Sequence, residues 1–312
     1  MKTNTKIKVV GVGGGGGNAV SRMARDKIQG VELIAINCDA QDLQKSRAQK
    51  TLRIGRNLTL GLGCGMNPEI GRLAAQEQKD EIADLIGPAD MVFITCGLGG
   101  GTGTGAAPVV AEIAKAQGSL VVAVVTTPFS FEGAYRAQIA NQGLENMKSK
   151  VDTLLIIPND KILSQSDQKL SLAQAFWQCD DILRQAVQGI TDLILMPGII
   201  NVDFADIKTV MKNSGPAFFG QGRAQGERRV ETAVSLALES PLLDFSINGA
   251  KSILFNVSGG DDLSLVEINE AANIITKTAD SHAKVIFGAV HDNRLQKEEI
   301  KITIIATGFA KK

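Results

Sequence analysis

Residues 97–105 read GLGGGTGTG, six glycines and two threonines in nine positions. Ordering that much glycine costs unusual chain entropy. A ligand that accepts many backbone N–H bonds offsets the cost. Thr102 and Thr104 add hydroxyl donors, and Thr104 is also placed to cap a following helix. A second run, GVGGGGGN at 11–18, and a third, GLGCGMNP at 61–68, repeat the theme. Chemistry suited to such segments is anion binding, with backbone N–H groups and a helix start aimed at phosphate. Taken alone, Gly11, Gly13 and Gly16 satisfy GxGxxG, and Asp39 lies where a dinucleotide enzyme holds ribose. A NAD-dependent Rossmann oxidoreductase is therefore a rival reading of the first run. One NAD site has no use for the second run, whereas a nucleoside triphosphate does. No GxxxxGK[ST] occurs, which excludes a Walker-type loop.

A second constellation is acidic. In Asn201-Val202-Asp203-Phe204-Ala205-Asp206 the two carboxylates are three residues apart and can project from one helical turn. Carboxylates at a helix start are ordinarily caps; the same pair can hold and polarise a water. Asp180, within a helical pattern, reads by itself as a solvated charge. Phe176, one turn earlier, suits either stacking on a ring or core packing.

These residues need elements to position them. Strands are expected near 7–12, 32–37, 91–95, 120–126 and 153–157, with helices near 18–29, 68–86, 104–117 and 132–147. Near-continuous apolar strands alternating with helices indicate a parallel sheet covered on both faces. Such sheets bind ligands at the carboxyl ends of their strands. A long helix is expected near 171–193, with Leu172, Ala175, Phe176, Cys179, Leu183, Ala186, Val187 and Ile190 as its apolar side, ending before Pro197-Gly198. Beyond it, helices near 227–239 and 264–277 accompany strands near 252–257, 284–290 and 301–307. The expected fold is α/β: a Rossmann-like parallel-sheet domain (1–170), a central connecting helix (171–195) and a smaller α+β domain (196–312).

Composition narrows the class. The chain has 312 residues, 44% hydrophobic, with 33 basic and 33 acidic side chains. Zero formal charge gives no basic footprint for nucleic acid. Cys38, Cys64, Cys96 and Cys179 form no CxxC pair and match no zinc spacing; free thiols in a reducing cytoplasm are expected. The opening MKTNTKIKVVGV lacks a signal-peptide layout, and no apolar run is long enough to insert in a membrane. A cytoplasmic globular protein is expected.

Together these segments resemble the FtsZ family, the prokaryotic relatives of tubulin. Residues 97–105 are similar to the family's phosphate signature and 11–18 to its first glycine loop. NCDA at 37–40, TTPFSFEG at 126–133, IPND at 157–160 and GIINVDFAD at 198–206 resemble its other motifs, in order, from about residue 7 to 309.

The resemblance implies a GTPase that binds GTP and GDP with Mg2+ carried on the phosphates. It places Gly14, Gly15, Gly16, Gly17, Asn18 and Gly101, Thr102, Gly103 at the phosphates, with Thr102 nearest the γ-phosphate, and Gly99, Gly100 and Thr104 in the same nucleotide site. Cys64, Gly65, Met66 and Asn67 line the same pocket, Pro128, Glu132 and Arg136 the ribose and phosphate region, and Asn159, Phe176 and Asp180 the guanine. A carboxylate and a carboxamide suit guanine, which offers N1–H and N2–H donors and an O6 acceptor. The acidic loop should lie far from its own nucleotide. In the family it completes the site of the next subunit in a head-to-tail homopolymer, with Asp203, Asp206 and Asn201 as the catalytic positions. A division-ring role at midcell follows. Intact Asp203 and Asp206 argue against a non-hydrolysing scaffold. Cys38 and Cys64 stand where Thr and Ala are expected and bring oxidisable groups near the nucleotide; Cys96 and Trp177 are also unusual. The chain stops after a strand without the family's linker and tail, so contacts with adaptor proteins are expected to lie outside this sequence.

Overall fold

A computed structural model describes residues 5–164, 171–196, 198–239, 247–280 and 282–309. Pro197 and the terminal 310–312 fall outside them. The chain divides into two compact units between Gln188 and Gly189.

The first unit contains β1 (Ile7–Val12), α1 (Gly13–Arg25), β2 (Val31–Asn37), α2 (Ala40–Gln44), β3 (Lys50–Arg53), α3 (Pro68–Glu77) and α4 (Lys79–Ile86). It continues through β4 (Met91–Gly97), α5 (Gly101–Ala116), β5 (Leu120–Thr127), α6 (Ala134–Lys148), β6 (Thr153–Pro158) and α7 (Asn159–Ser164). Its strands lie in the order β3-β2-β1-β4-β5-β6, all parallel. β4 and β5 are buried almost throughout, as a sheet covered on both faces requires. The chain leaves β1 towards β2 on one side, and β4 lies on the other, so the strand order reverses between β1 and β4. Ligands bind parallel sheets at such a point, beyond the carboxyl ends of the strands.

Helix starts differ from expectation. α1 begins at Gly13 rather than 18, and α5 at Gly101 rather than 104. Glycine costs about 1 kcal/mol per helical position against Ala, which is why the sequence pattern excludes these residues. Here they leave the strand ends directly as helical turns. The single helix expected at 68–86 is two, because Gln78 leaves helical geometry (φ −105°, ψ 29°) and its side chain accepts from the Gly55 N–H.

The unit division falls within α8 (Leu172–Leu195). Ala175, Cys179, Leu183, Ala186, Val187 and Ile190 are buried as the pattern predicts. Leu172 and Phe176 are not: they are 59% and 42% exposed.

The second unit holds β7 (Gly198–Ile200), α9 (Phe204–Met211), β8 (Gly215–Gln225), α10 (Arg229–Leu238), β9 (Ser252–Gly259), α11 (Leu265–Lys277), β10 (Lys284–His291) and β11 (Glu299–Thr307). Its strands run β8-β11-β9-β10-β7, with β9 and β10 parallel and the other pairs antiparallel. β8 escapes sequence reading because Gly and Pro punctuate it. A Cβ on Gly220 or Gly222 would lie 1.9 or 2.0 Å from carbonyl oxygens of α10, so the glycines let that helix rest on the strand. Arg229 of α10, 7% exposed, ties down the start of α11. It donates to Asp262 at 2.5 Å and to Glu267 at 2.6 Å, while Glu267 closes a capping box with Ser264. No described helix is long and apolar enough to cross a membrane.

Candidate functional site

A cleft of about 570 Å³ opens where β1 and β4 end. Two helices begin there, and neither has a side-chain cap: Val12 precedes α1 and Gly100 precedes α5. Elsewhere α4, α6, α9 and α10 also start without a side-chain cap, while others are capped. Asp39 caps α2, Asn67 caps α3 and Ser264 caps α11. The first N–H groups of a helix need partners, and at α1 and α5 no side chain of the helix start supplies them. Contrary to the expectation from sequence, Thr104 does not cap α5; it lies within the helix and its Oγ1 accepts from the Gly99 N–H at 2.9 Å.

The glycines separate into two kinds. Gly16 is a packing residue, because a Cβ there would come 2.3 Å from the Thr95 carbonyl oxygen. Gly101 abuts the Cβ of Cys64 at 2.6 Å in the same test. Gly99 needs its positive φ of +98° and approaches the Arg136 carbonyl oxygen. At Gly17 and Gly100 nothing lies within 4 Å and φ is ordinary. No neighbour in the chain explains glycine at those two positions.

The other end of the cleft is polar. Asp180, on α8, is held above the ordinary carboxylate range, at about 6, chiefly by burial; the charge of Arg22 partly opposes this. The Arg22 guanidinium lies 3.8 Å from the Asp180 carboxylate and 4.7 Å above the centre of the Trp177 ring. Asn159, 5% exposed at the end of β6, has an Oδ1 without a hydrogen-bond partner. A buried acceptor left bare costs about 1–3 kcal/mol, so this oxygen awaits a donor. Phe176 stands edge-on to Phe129, ring centres 5.4 Å apart, and presents its other side to the cleft. Glu132 accepts from the Phe129 N–H at 2.9 Å and pairs with Arg136 at 2.5 Å, which fixes both on the wall.

Of the residues singled out in the sequence, the cleft is lined by Gly14, Gly15, Asn18, Cys64, Gly65, Gly100, Gly101, Thr102, Gly103, Pro128, Glu132, Arg136, Asn159, Phe176 and Asp180. Gly17 lines a smaller adjoining hollow with Arg22. Gly16, Met66, Asn67, Gly99 and Thr104 line neither; they shape turns, caps and packing behind the wall. The sequence reading missed Asn37 and Asp42, which line the cleft with Asp39. Asn37 Nδ2 donates to Asp42 at 2.8 Å, and Asp39 accepts from the Asp42 N–H at 3.0 Å. Asn37 was signalled by the NCDA motif at the end of β2; Asp42 lies two residues beyond that motif.

Asp203 and Asp206 belong to the second unit and are both exposed. Asp203 occupies the position before α9, yet its side chain makes no cap bond. Ordinary capping, the simplest expectation for this pair, therefore does not account for Asp203. Asn201 uses its Oδ1 to accept from the Gly198 N–H at 2.8 Å, which closes the turn after β7.

Comparison with known proteins agrees with this arrangement. Residues 6–167 match the Tubulin/FtsZ family, GTPase domain, and residues 215–310 the FtsZ family, C-terminal domain. The chain is similar to a solved FtsZ dimer, empty, from M. jannaschii, at 47% identity, TM-score 0.93, covering 99% of this chain and 89% of that one. It shares its fold with CetZ1 from Haloferax volcanii, a GDP-bound monomer, at 22% identity and TM-score 0.86, covering 98% and 95%. CetZ2 from the same organism, a GTPγS-bound protofilament, matches at 19% identity and TM-score 0.81, covering 98% and 94%. Two adjacent uncapped helix starts at a parallel-sheet crossover, and sequence likeness across both units, lead to one assignment: the chain belongs to the tubulin/FtsZ family of GTPases.

Proposed function

We propose that this chain binds GTP in the cleft, polymerises head-to-tail and hydrolyses GTP at contacts between copies, as the filament of a prokaryotic division ring. The observation that carries the reading is the pair of uncapped helix starts at α1 and α5. Their N–H groups receive the phosphates, with Gly100 leaving room for close approach. Thr102, in the first turn of α5, attends the terminal phosphate. Asp180 and Asn159 select guanine: the carboxylate accepts N1–H and N2–H, and the bare Asn159 Oδ1 accepts a remaining donor. Glu132 and Arg136 hold the ribose side.

Asp203 and Asp206 of the next copy orient and polarise the attacking water, an effect worth ~10²–10⁴-fold in rate. Their exposure suits a role towards another molecule. Asn201 shapes the turn that presents them. Mg2+ would be held through the phosphates and would neutralise charge developing there. A contact that repeats without closing generates a filament, and the FtsZ and CetZ2 relatives are described as a dimer and a protofilament. Adaptor proteins at the cytoplasmic face of the membrane then place the filament at midcell.

The test is GTP turnover per subunit against protein concentration, with sedimentation in parallel. Turnover should stay near zero below a threshold and rise with pelleted polymer. Asp206→Ala should keep GTP affinity and lose turnover. A constant rate per subunit at every concentration removes the shared site.

A further inference from the structure

Cys38 follows β2 directly, and Cys64 sits in the loop before α3. Their sulfurs are 3.2 Å apart, and both residues are buried. A disulfide requires about 2.05 Å, so the sulfurs need close by only about an ångström. The two segments are already fastened together. Asp39 and Leu62 form an isolated antiparallel bridge, and the Ala40 N–H donates to the Gly61 carbonyl at 3.0 Å. That fastening leaves the bonded geometry within a short movement of the Cys64 loop.

The pair also touches the phosphate end of the cleft. Thr102 Oγ1–H donates to Cys64 Sγ at 3.3 Å. The Cys64 Cβ occupies the space that a side chain on Gly101 would need. Cys64 lines the cleft; Cys38 does not. The two thiols are unequal as well. The Cys38 contact, joined by Thr102, holds the Cys64 thiol below its ordinary range, while the same contact and burial push Cys38 up. Cys96 and Cys179 differ: burial pushes each up to about 12.

We propose that Cys38 and Cys64 form a reversible disulfide whose closure disables the phosphate end of the nucleotide cleft. The second half of this statement rests on the nucleotide reading given above. The oxidant is a small hydroperoxide that enters through the cleft. The Cys64 thiolate attacks a peroxide oxygen, the O–O bond breaks, and the departing oxygen takes up a proton as water. The resulting sulfenic acid is attacked by the Cys38 sulfur. The S–O bond breaks, an S–S bond forms, and the Cys38 proton leaves with the hydroxide as a second water. Two thiols lose two electrons and one hydrogen peroxide becomes two waters. A dithiol reductant reverses the change by exchange. On closure Thr102 loses its thiolate acceptor, and the Cys64 loop is drawn off Gly101 towards β2. A nucleotide already in the cleft covers Cys64 and slows its oxidation.

The experiment uses the full chain, nucleotide-free, treated with hydrogen peroxide and then with dithiothreitol. Intact mass should fall by about 2 Da, and a proteolytic digest should yield a linked peptide containing Cys38 and Cys64. Affinity for a fluorescent GDP should fall at least tenfold and recover on reduction, with thermal melting confirming that the oxidised chain stays folded. Bound GDP should slow the loss of mass. Cys38→Ser should bind GDP normally when reduced, yield no linked peptide and show no recovery by exchange of that bond. Absence of the linked peptide in wild type overturns the proposal, as does a linked protein of unchanged affinity. Reduced protein that binds no guanine nucleotide overturns the nucleotide reading instead, and the mass and peptide data then judge the disulfide alone.

Discussion

Asp180 sits in surroundings that oppose its charge. Burial holds it at about 6 against an ordinary 3.8, and Arg22 recovers part of the difference. The sign for stability follows. A carboxyl raised in the folded state favours folding most at low pH, and that contribution is lost as pH rises through 6. The sign for ligand is opposite, because guanine needs the ionised acceptor. Guanine-nucleotide affinity should therefore decline by up to ~10-fold per pH unit below about 6. Titration calorimetry from pH 5 to 8 checks this, and Asp180→Asn should flatten the profile and weaken binding. Sequence alone could not separate this residue from a solvated charge, since burial and the Arg22 contact arise from elements far apart in the chain. Phe176 was equally undecided until its exposure and its seat beside Phe129 were seen.

At the scale of elements, the two glycine-led helices invite a paired substitution. Gly100→Ala meets open space and should leave the melting temperature nearly unchanged while nucleotide affinity falls at least ~10-fold, the equivalent of 1.4 kcal/mol. Gly16→Ala drives a methyl into the Thr95 carbonyl and should cost stability first. Parallel thermal melts and binding curves distinguish them; equal effects in both would mean that Gly100 is structural. The glycine runs were legible as loops at the strand ends, yet the helices they open were not, because propensity disfavours glycine in a helix and packing overrides it. β8 was lost for a related reason, its glycines serving the contact with α10. A further element-scale prediction concerns Arg229. Its hydrogen bonds hold Glu267 at about 2, below its ordinary 4.5. Arg229→Ala should cost about 3 kcal/mol at neutral pH by leaving paired carboxylates without their cation. The contribution of Glu267 is present above 4.5 and lost as pH falls through 2, so the gap between wild type and variant should narrow over that interval in denaturant melts.

The cleft is lined by residues of the first unit, and the exposed acidic pair belongs to the second. A site shared between copies makes a prediction about mixtures. Asp206→Ala keeps an intact cleft, and Gly100→Ala keeps an intact acidic pair. Mixed above the assembly threshold, the two should turn over GTP faster than the sum of each alone. Strict additivity would mean that each copy works with its own acids. The parallel sheet was legible because β-branched runs alternate with helices. The unit division was less so: it falls inside one continuous amphipathic helix, with no break in composition to mark it.

Trp177 is the chain's sole tryptophan, half-exposed beneath the Arg22 guanidinium and three residues from Asp180. Any base that draws Asp180 into new bonds also resets the charge above that indole. The protein thus carries an optical probe of its own cleft: emission excited at the indole band should shift as nucleotide enters, with no dye attached, and can be followed in the same cuvette as light scattering from filaments.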